Sequence, residues 1–427
     1  MDIKQIFFIC NIFLTAFFIL CYLYQFFYVG YVLFKKKELP PPKNIKMNKF
    51  GIVICARNEE NVIGNLLESI KRQDYPSELM KVFLVADNCD DHTADVGRRY
   101  GANVIERFNK ELVGKGYALD MLFKKLLKEG DDCDAYIVFD ADNLVDKNFV
   151  KEMNINFNRG FIALTSYRNS KNYGTNWITA GYSLWFLREA KYLNNARMML
   201  GASCAISGTG FCISRRVIEE AGGWQYHLLT EDVEFSVDMA IKGEKIGYSG
   251  KSVVYDEQPE TFKQSWNQRL RWSKGFYQVF HKYGGKLFLG IFKGSFACYD
   301  MLMTIFPAVL ITVLSVICCI AECIYGITLF VQEPSFMTLF TFAVVPILYF
   351  STIIYMLMFV VGFITVVTEW DVINCPPGKI IKYLFTFPIF MLTYVPIAIV
   401  AMFKKVEWTP IKHSVTKTID DVNKPDE

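Results

Sequence analysis

Gln268-Arg269-Leu270-Arg271-Trp272 puts an amide, two guanidinium groups and an indole into five residues. Arginine pairs with phosphate through a fixed fork of donors, and tryptophan offers a flat apolar face to a sugar ring. Three acidic sites precede this run: Asp87 with Asp90 and Asp91, then Asp140-Ala141-Asp142, then Glu231-Asp232. A diphosphate carries concentrated negative charge, and a hard divalent cation held by one or two carboxylates is a usual way to bind it. The combination suits a site that handles sugar rings and phosphates. Taken singly, each element is weak: a lone Asp-x-Asp is usually a solvated turn, and Thr-Glu-Asp is a common helix start. Their order along one chain carries the weight.

Elements must bring such residues together, and the stretch after the stiff Pro40-Pro41-Pro42 linker alternates strands with helices. Phe50–Cys55 reads as a buried strand, followed by a helix from about Asn61 to Gln73 with Leu66, Leu67 and Ile70 on one face. Strands over Val82–Ala86, Asn103–Arg107 and Ala135–Phe139 alternate with helices over Thr93–Tyr100 and Gly116–Lys128. This alternation predicts an α/β domain with a mainly parallel sheet, whose ligands bind beyond the carboxyl ends of its strands. Ala56-Arg57-Asn58-Glu59, Asp87 and Asp140 all fall at such ends, which argues for one shared site.

Asp87, Asp140-Ala141-Asp142, Thr230-Glu231-Asp232 and Gln268-Arg269-Leu270-Arg271-Trp272, in that order, resemble the membrane-embedded, processive branch of the family 2 glycosyltransferases. That branch includes cellulose, chitin, hyaluronan and poly-N-acetylglucosamine synthases. The resemblance runs from about Phe50 to Phe280. It implies a GT-A fold, a nucleotide-sugar-binding domain inserted between transmembrane helices, which binds a UDP-sugar and inverts the anomeric centre. By that pattern Asp140 touches the nucleotide and Asp142 ligates Mg2+ or Mn2+. Asp87 holds the uracil or ribose with Ala56, Arg57 and Glu59 around the base, and Lys115 approaches the diphosphate. Asp232 is the candidate general base, a role worth on the order of 10²–10⁴-fold. Glu231 is its rival, and Thr230 is expected to cap the helix that follows. Gly208-Thr209-Gly210-Phe211 lies where the family binds its acceptor; a tight turn before a strand over Phe211–Ser214 is the plain alternative. Trp272 stacks on the acceptor sugar, with Arg269 and Arg271 near the diphosphate and Gln268 hydrogen-bonding beside them. An interface helix with snorkelling arginines and a tryptophan anchor explains the same five residues without catalysis.

The chain is 52% hydrophobic and 16% aromatic, too apolar for an ordinary soluble enzyme of 427 residues. The excess sits in four runs, Ile6–Leu33 and about Met301–Val331, Phe336–Val367 and Tyr383–Phe403, against roughly 20 residues needed to cross a bilayer. The first is too long for a signal peptide and ends without a small-residue cleavage site. Lys35-Lys36-Lys37 after it places residues 35 onward in the cytosol. Three later spans would then put the C-terminus outside, yet Lys404-Lys405 and Lys412 favour the inside. Trp408-Thr409-Pro410 also reads as a part that returns to a site. Pro388 and Pro396 in the last run allow a broken or re-entrant segment, and a turn hidden in a longer run is the other way out. The expected domains are 1–40 (span and linker), 41–285 (catalytic) and 286–427 (interface helix, about three spans and basic tail). The net charge of +3 is small, and no Lys/Arg tract rises to a nucleic-acid footprint. Twelve cysteines without a CxxC pair indicate neither a disulfide framework nor a zinc site.

The leading expectation is a bacterial plasma-membrane polysaccharide synthase, a class that can use accessory synthase subunits, with the later helices forming a path for the polymer. The alternative stops after one or two sugars and uses a membrane lipid, diacylglycerol or a polyprenyl phosphate, as acceptor. A non-catalytic scaffold or transporter is the third reading. Transport predicts ionisable residues inside the spans, and only Glu322 stands mid-run.

Overall fold

The computed structural model describes residues 2–35, 39–407, 413 and 415–422; Trp408-Thr409-Pro410 and Lys412, singled out above, lie outside them. Helix α1 (Ile3–Phe34) leads into an α/β domain. Its elements begin β1 (Phe50–Ala56), α2 (Ile63–Lys71), β2 (Met80–Asp87), α3 (Thr93–Arg99), β3 (Asn103–Arg107), α4 (Lys115–Glu129) and β4 (Ala135–Asp140). They continue β5 (Leu144–Val145), α5 (Phe149–Phe157), β6 (Ala163–Ser170), α6 (Trp177–Arg188), α7 (Asn195–Leu200) and β7 (Phe211–Ser214). Then come α8 (Arg215–Ala221), α9 (Glu231–Lys242), β8 (Ile246–Asp256) and the long α10 (Phe262–Phe292). Residue 285, the expected domain boundary, lies inside α10.

One sheet runs β3-β2-β1-β4-β7-β6-β8-β5. β1 pairs in parallel with β2 and β4, and β2 with β3, as the strand–helix alternation predicts. β1 is apolar throughout because helices cover both faces, so its Ile52, Val53 and Ile54 are fully buried. Leu66, Leu67 and Ile70 of α2 close one face, and Leu119, Leu122 and Phe123 of α4 close the other. Past β4 the sheet becomes mixed. The short β7 runs antiparallel to both β4 and β6, β6 runs parallel to β8, and β5 folds back on β8.

After α10 follow α11 (Phe296–Ile305), α12 (Pro307–Gln332), α13 (Phe336–Leu339), α14 (Val345–Thr368), α15 (Pro377–Leu392), α16 (Tyr394–Phe403) and α17 (Ile419–Val422). Among the described residues, four helical stretches are long and apolar enough to cross a membrane: Ile3–Phe34, Leu310–Gln332, Phe336–Thr368 and Pro377–Phe403. The fourth differs from the rest. It breaks at Thr393, where Pro396 cannot supply the backbone donor that would carry the helix on. It lies along the α/β domain from end to end. Lys379 Nζ donates to the Gly174 carbonyl (3.3 Å), the Tyr277 hydroxyl to that of Ala398 (3.0 Å), and Lys274 Nζ to that of Ala401 (3.1 Å). Phe390 sits so tightly on Gly181 of α6 that a Cβ there would come within 2.4 Å of the ring.

The tail returns to the same domain. The Val415 amide donates to Glu257 Oε2 (3.1 Å), Asn65 Nδ2 to the Thr416 carbonyl (3.3 Å), and Arg72 pairs with Asp420 (2.8 Å).

Candidate active site

The ends of β1, β2 and β4 form one wall of a cavity of about 620 Å³ that also meets α1, α9, α10, α12 and α14. Ala56, Arg57, Glu59, Asp87, Lys115, Asp140 and Asp142 all line it. Asp87 ends β2, buried, with the Arg107 guanidinium 2.5 Å from its Oδ1 and the Asn88 side chain 3.0 Å away. Burial raises the Asp87 carboxyl against the opposing pull of Arg107. Arg107 ends β3, so the strand-end rule that picked out Asp87 would have found it too. Lys115 opens α4 and holds two parts of the site together: its Nζ donates to Asp140 Oδ1 (2.5 Å) and to the Gly208 carbonyl (2.7 Å).

Asp142 is buried, and its Oδ2 accepts the Glu257 amide (2.8 Å). Burial alone would raise its carboxyl; His413 and Lys171 outweigh that and hold it low. His413 comes from the returning tail, and its Nδ1 lies 2.9 Å from Glu59 Oε1. Burial, which opposes its charge, is outweighed by Asp142, Glu59 and Glu257, and its pKa rises to about 9. The reading of nearby Trp408-Thr409-Pro410 as a part that returns to a site anticipates such a placement, but nothing in the sequence singles out His413 itself. Among the described residues, Asp140 Oδ2 and Asp142 Oδ1 take no hydrogen bond. Hard carboxylate oxygens fit a divalent cation that also meets phosphate.

Across the cavity, Glu231 and Asp232 open α9, where the helix N-terminus favours negative charge. Burial raises both carboxyls, and Asp232 raises Glu231 further, against Lys115 and Arg271. The Asp232 Oδ2 stands 3.5 Å from where a Cβ on Gly208 would sit, which puts it at the acceptor-side glycine. Thr230 does not cap α9. Its hydroxyl is buried without a partner because the close crossing of α10 at Gly275 presses on it. The Glu234 carboxylate instead ties down the loop before α9, accepting the His227 and Leu228 amides at 3.0 Å each.

The Gln268–Trp272 run lies on α10 and divides between two faces. Gln268, Arg271 and Trp272 line the cavity. Arg271 Nη1 donates to the Leu229 carbonyl (2.9 Å), beside the α9 carboxylates. Trp272 stands edge-on to Tyr182, with ring centroids 5.7 Å apart. Gln268 Oε1 is buried with no donor, which leaves an acceptor for a ligand hydroxyl. Arg269 corrects the expectation of a diphosphate contact. It is fully buried on the opposite face, donating to Thr393 Oγ1 (2.6 Å) and the Phe390 carbonyl (3.2 Å). Residues two apart on a helix point to different sides, so Arg269 and Arg271 cannot share a ligand.

A second correction concerns the acceptor segment, of which only Gly208 reaches the cavity wall. Thr209 is buried, and its hydroxyl accepts the Asp140 amide (2.9 Å), so it positions that aspartate. Gly210, at φ +64°, permits a close approach to Ser166 and Val254, and Phe211 starts β7 inside the core. Sequence reasoning also missed Arg168, which lines the cavity, stacks on Phe186 (3.6 Å) and pairs with Asp256 (2.7 Å).

A sequence profile of the family described as "Glycosyltransferase like family 2" matches residues 48–275. Among curated proteins, the "Probable glycosyltransferase YdaM" of Bacillus subtilis is 27% identical over 274 residues, 59% of this chain and 59% of that protein. A "Beta-monoglucosyldiacylglycerol synthase" of Synechocystis is 28% identical over 238 residues, 54% of this chain and 48% of that one. A "Poly-beta-1,6-N-acetyl-D-glucosamine synthase" of Staphylococcus epidermidis is 22% identical over 273 residues, 63% and 64% respectively. The chain thus spans under two thirds of the length of each of these relatives. Among solved structures, the mannosyltransferase PcManGT from Pyrobaculum calidifontis, in complex with GDP-Man and Mn2+, superposes with a TM-score of 0.60. It covers 92% of this chain and 98% of its own at 15% identity, a likeness of fold.

Proposed function

This chain belongs to the glycosyltransferase-like family 2, and from that premise we propose that it transfers a hexosyl group from a UDP-sugar to a hydroxyl of a membrane lipid. The observation that carries the choice of acceptor is the far end of the cavity. Beyond Trp272 it is walled by Leu14 and Phe18 of α1 and by Phe350, Ile353 and Leu357 of α14, with no charged side chain from α12 or α14. Acyl chains suit the apolar side chains that α14 contributes, and the hydroxyls of Thr15, Thr312 and Ser315 on α1 and α12 leave polar partners for a headgroup.

The chemistry then runs along the cavity. Asp87 and Arg107 hold the base and ribose, while Asp140 and Lys115 hold the nucleotide side of the diphosphate. Mg2+ or Mn2+, held by Asp142 with His413 nearby, would offset the diphosphate charge as it leaves. Asp232 takes the proton from the acceptor hydroxyl. That oxygen bonds to the anomeric carbon as the carbon–phosphate-oxygen bond breaks on the opposite face, and the nucleoside diphosphate departs with inversion. Arg271 meets the charge that develops on the leaving group.

In the same reading, α1, α12 and α14 span the bilayer, and α15–α16 lies along the α/β domain at the cytosolic surface. An even number of later crossings keeps the tail with the α/β domain. The conflict between Lys404-Lys405 and the positive-inside rule then disappears. Elongation of a polysaccharide is the second reading; the Gln268–Trp272 pattern and the poly-N-acetylglucosamine synthase relatives favour it. The deciding assay supplies radiolabelled UDP-sugars to membranes that contain the chain. Label extracted into chloroform–methanol supports the lipid acceptor. Label in large, glycosidase-sensitive material overturns it in favour of polymer synthesis.

A further inference from the structure

α6 does not end as an ordinary helix: it passes at Glu189 into a π-helical turn over Glu189–Asn194. Such turns recur at functional sites because the extra residue re-aims its neighbours. Here it presents Arg188 to the cavity at the place where α6 meets α1. The surroundings of Arg188 are unusual for a guanidinium. Its Nη2 donates to Gln25 Oε1, a neutral amide on α1, and its Cζ lies 4.7 Å above the Trp185 ring. Among the described residues no carboxylate comes within ion-pair distance of it. The other arginines at this end of the cavity are satisfied: Arg197 by Asp300 (2.7 Å) and Arg168 by Asp256 (2.7 Å). Burial draws its pKa down to about 10, with Glu189 only partly opposing. Gln25 stands nine residues before the end of α1 at Phe34, about 14 Å along the helix. That places the pair on the half of α1 nearer the α/β domain, on the wall of the cavity that Asp232 also lines.

A guanidinium on the cavity wall that makes no ion pair among the described residues, with only the neighbouring Glu189 carboxylate acting on it at longer range, is free to take an anionic ligand. The geometry points to Arg188, assisted by Gln25, as the receptor for a phosphate on the acceptor lipid. The inference rests on the lipid-acceptor reading and narrows it: the substrate is a phosphate-bearing lipid rather than neutral diacylglycerol. No step of the transfer changes, since Arg188 holds the headgroup while Asp232 takes the proton.

The test uses the full-length protein in nanodiscs with two acceptors of matched chains, dioleoylphosphatidylglycerol and dioleoylglycerol. Each offers a primary hydroxyl and they differ by a phosphoglycerol group, so the Arg188 variants isolate the part that the phosphate plays. The readout is the ratio of kcat/KM for the two lipids, which is independent of how much protein is correctly folded. We expect the wild type to favour the phosphatidylglycerol. Arg188→Gln should reduce the ratio at least about tenfold, the scale of one charged hydrogen bond. Arg188→Lys should keep most of it. Equal use of both lipids, or a ratio unmoved by Arg188→Gln, overturns the inference and leaves the lipid-acceptor reading standing. Label on neither lipid but in a water-soluble polymer overturns both. Inorganic phosphate that competes as strongly as the phospholipid would assign Arg188 to a soluble anion and overturn the lipid assignment.

Discussion

Asp232 and Glu231 sit side by side at the start of α9, and only one can be the base. Asp232 lies against Gly208 on the acceptor side, so Asp232→Asn should lower kcat on the order of 10²–10⁴-fold. Donor binding, measured by UDP-sugar titration, should stay within a few-fold. An equal loss confined to Glu231→Gln would exchange the roles. A base must be deprotonated, and burial raises both carboxyls. The acid limb of kcat/KM should therefore fall above the ordinary carboxylate range, with activity rising as pH increases through it. Lys115, Arg271 and Arg168 pull that limb down while Glu189 and the paired carboxylate push it up; the net direction is upward. A limb near pH 4, as for a solvated carboxylate, would count against this site. Removing divalent cations with EDTA should abolish transfer, and Mg2+ or Mn2+ should restore it to the wild type but poorly to Asp142→Asn.

At the scale of elements, α10 links the reaction to the membrane-proximal helices through two arginines with separate tasks. Arg269→Ala strips charged hydrogen bonds from Thr393 and Phe390 at the break between α15 and α16. It should cost about 1.5–3 kcal/mol of stability, read as a fall in Tm in detergent. Arg271→Ala should instead reduce kcat with little change in Tm. If Arg269→Ala behaved as a catalytic variant with undisturbed stability, the division of α10 into two faces would be wrong. Sequence reasoning named both arginines because it read the run as a cluster. The helical period, which separates i from i+2, was available in the same five residues and would have parted them. What it could not supply was the partner of the second face, since Phe390 and Thr393 lie more than 120 positions further along.

For the whole molecule, the tail returns to the α/β domain through His413, Val415 and Asp420, and this decides which side of the membrane holds it. A single cysteine at Thr416, in a background cleared of reactive thiols, should react with an impermeant maleimide only after the membrane is permeabilised. Labelling in intact cells would place the tail outside and restore a fourth crossing. A second intramolecular link joins two of the helices long and apolar enough to cross a membrane. Asn11 of α1 donates to Glu322 of α12 at 2.6 Å, so the mid-run carboxylate joins two helices. It therefore offers no support for a transport pathway.

Local pattern was enough for the parallel half of the sheet, the strand-end aspartates and the acidic motifs, because each depends on residues a few positions apart. The strand–helix alternation needs only nearest neighbours, and strand ends follow from where apolar runs stop. The joining of Arg107 to Asp87, the burial of Thr209 behind Asp140, the separation of Arg269 from Arg271's ligand and the arrival of His413 at Glu59 were decided by tertiary structure. So was the chamber on which the lipid-acceptor proposal rests, because it is enclosed by faces of α1, α12 and α14 whose apolar residues look alike in sequence. Which side of an apolar helix faces a cavity and which faces lipid is set by its packing partners, and hydropathy alone carries no record of them.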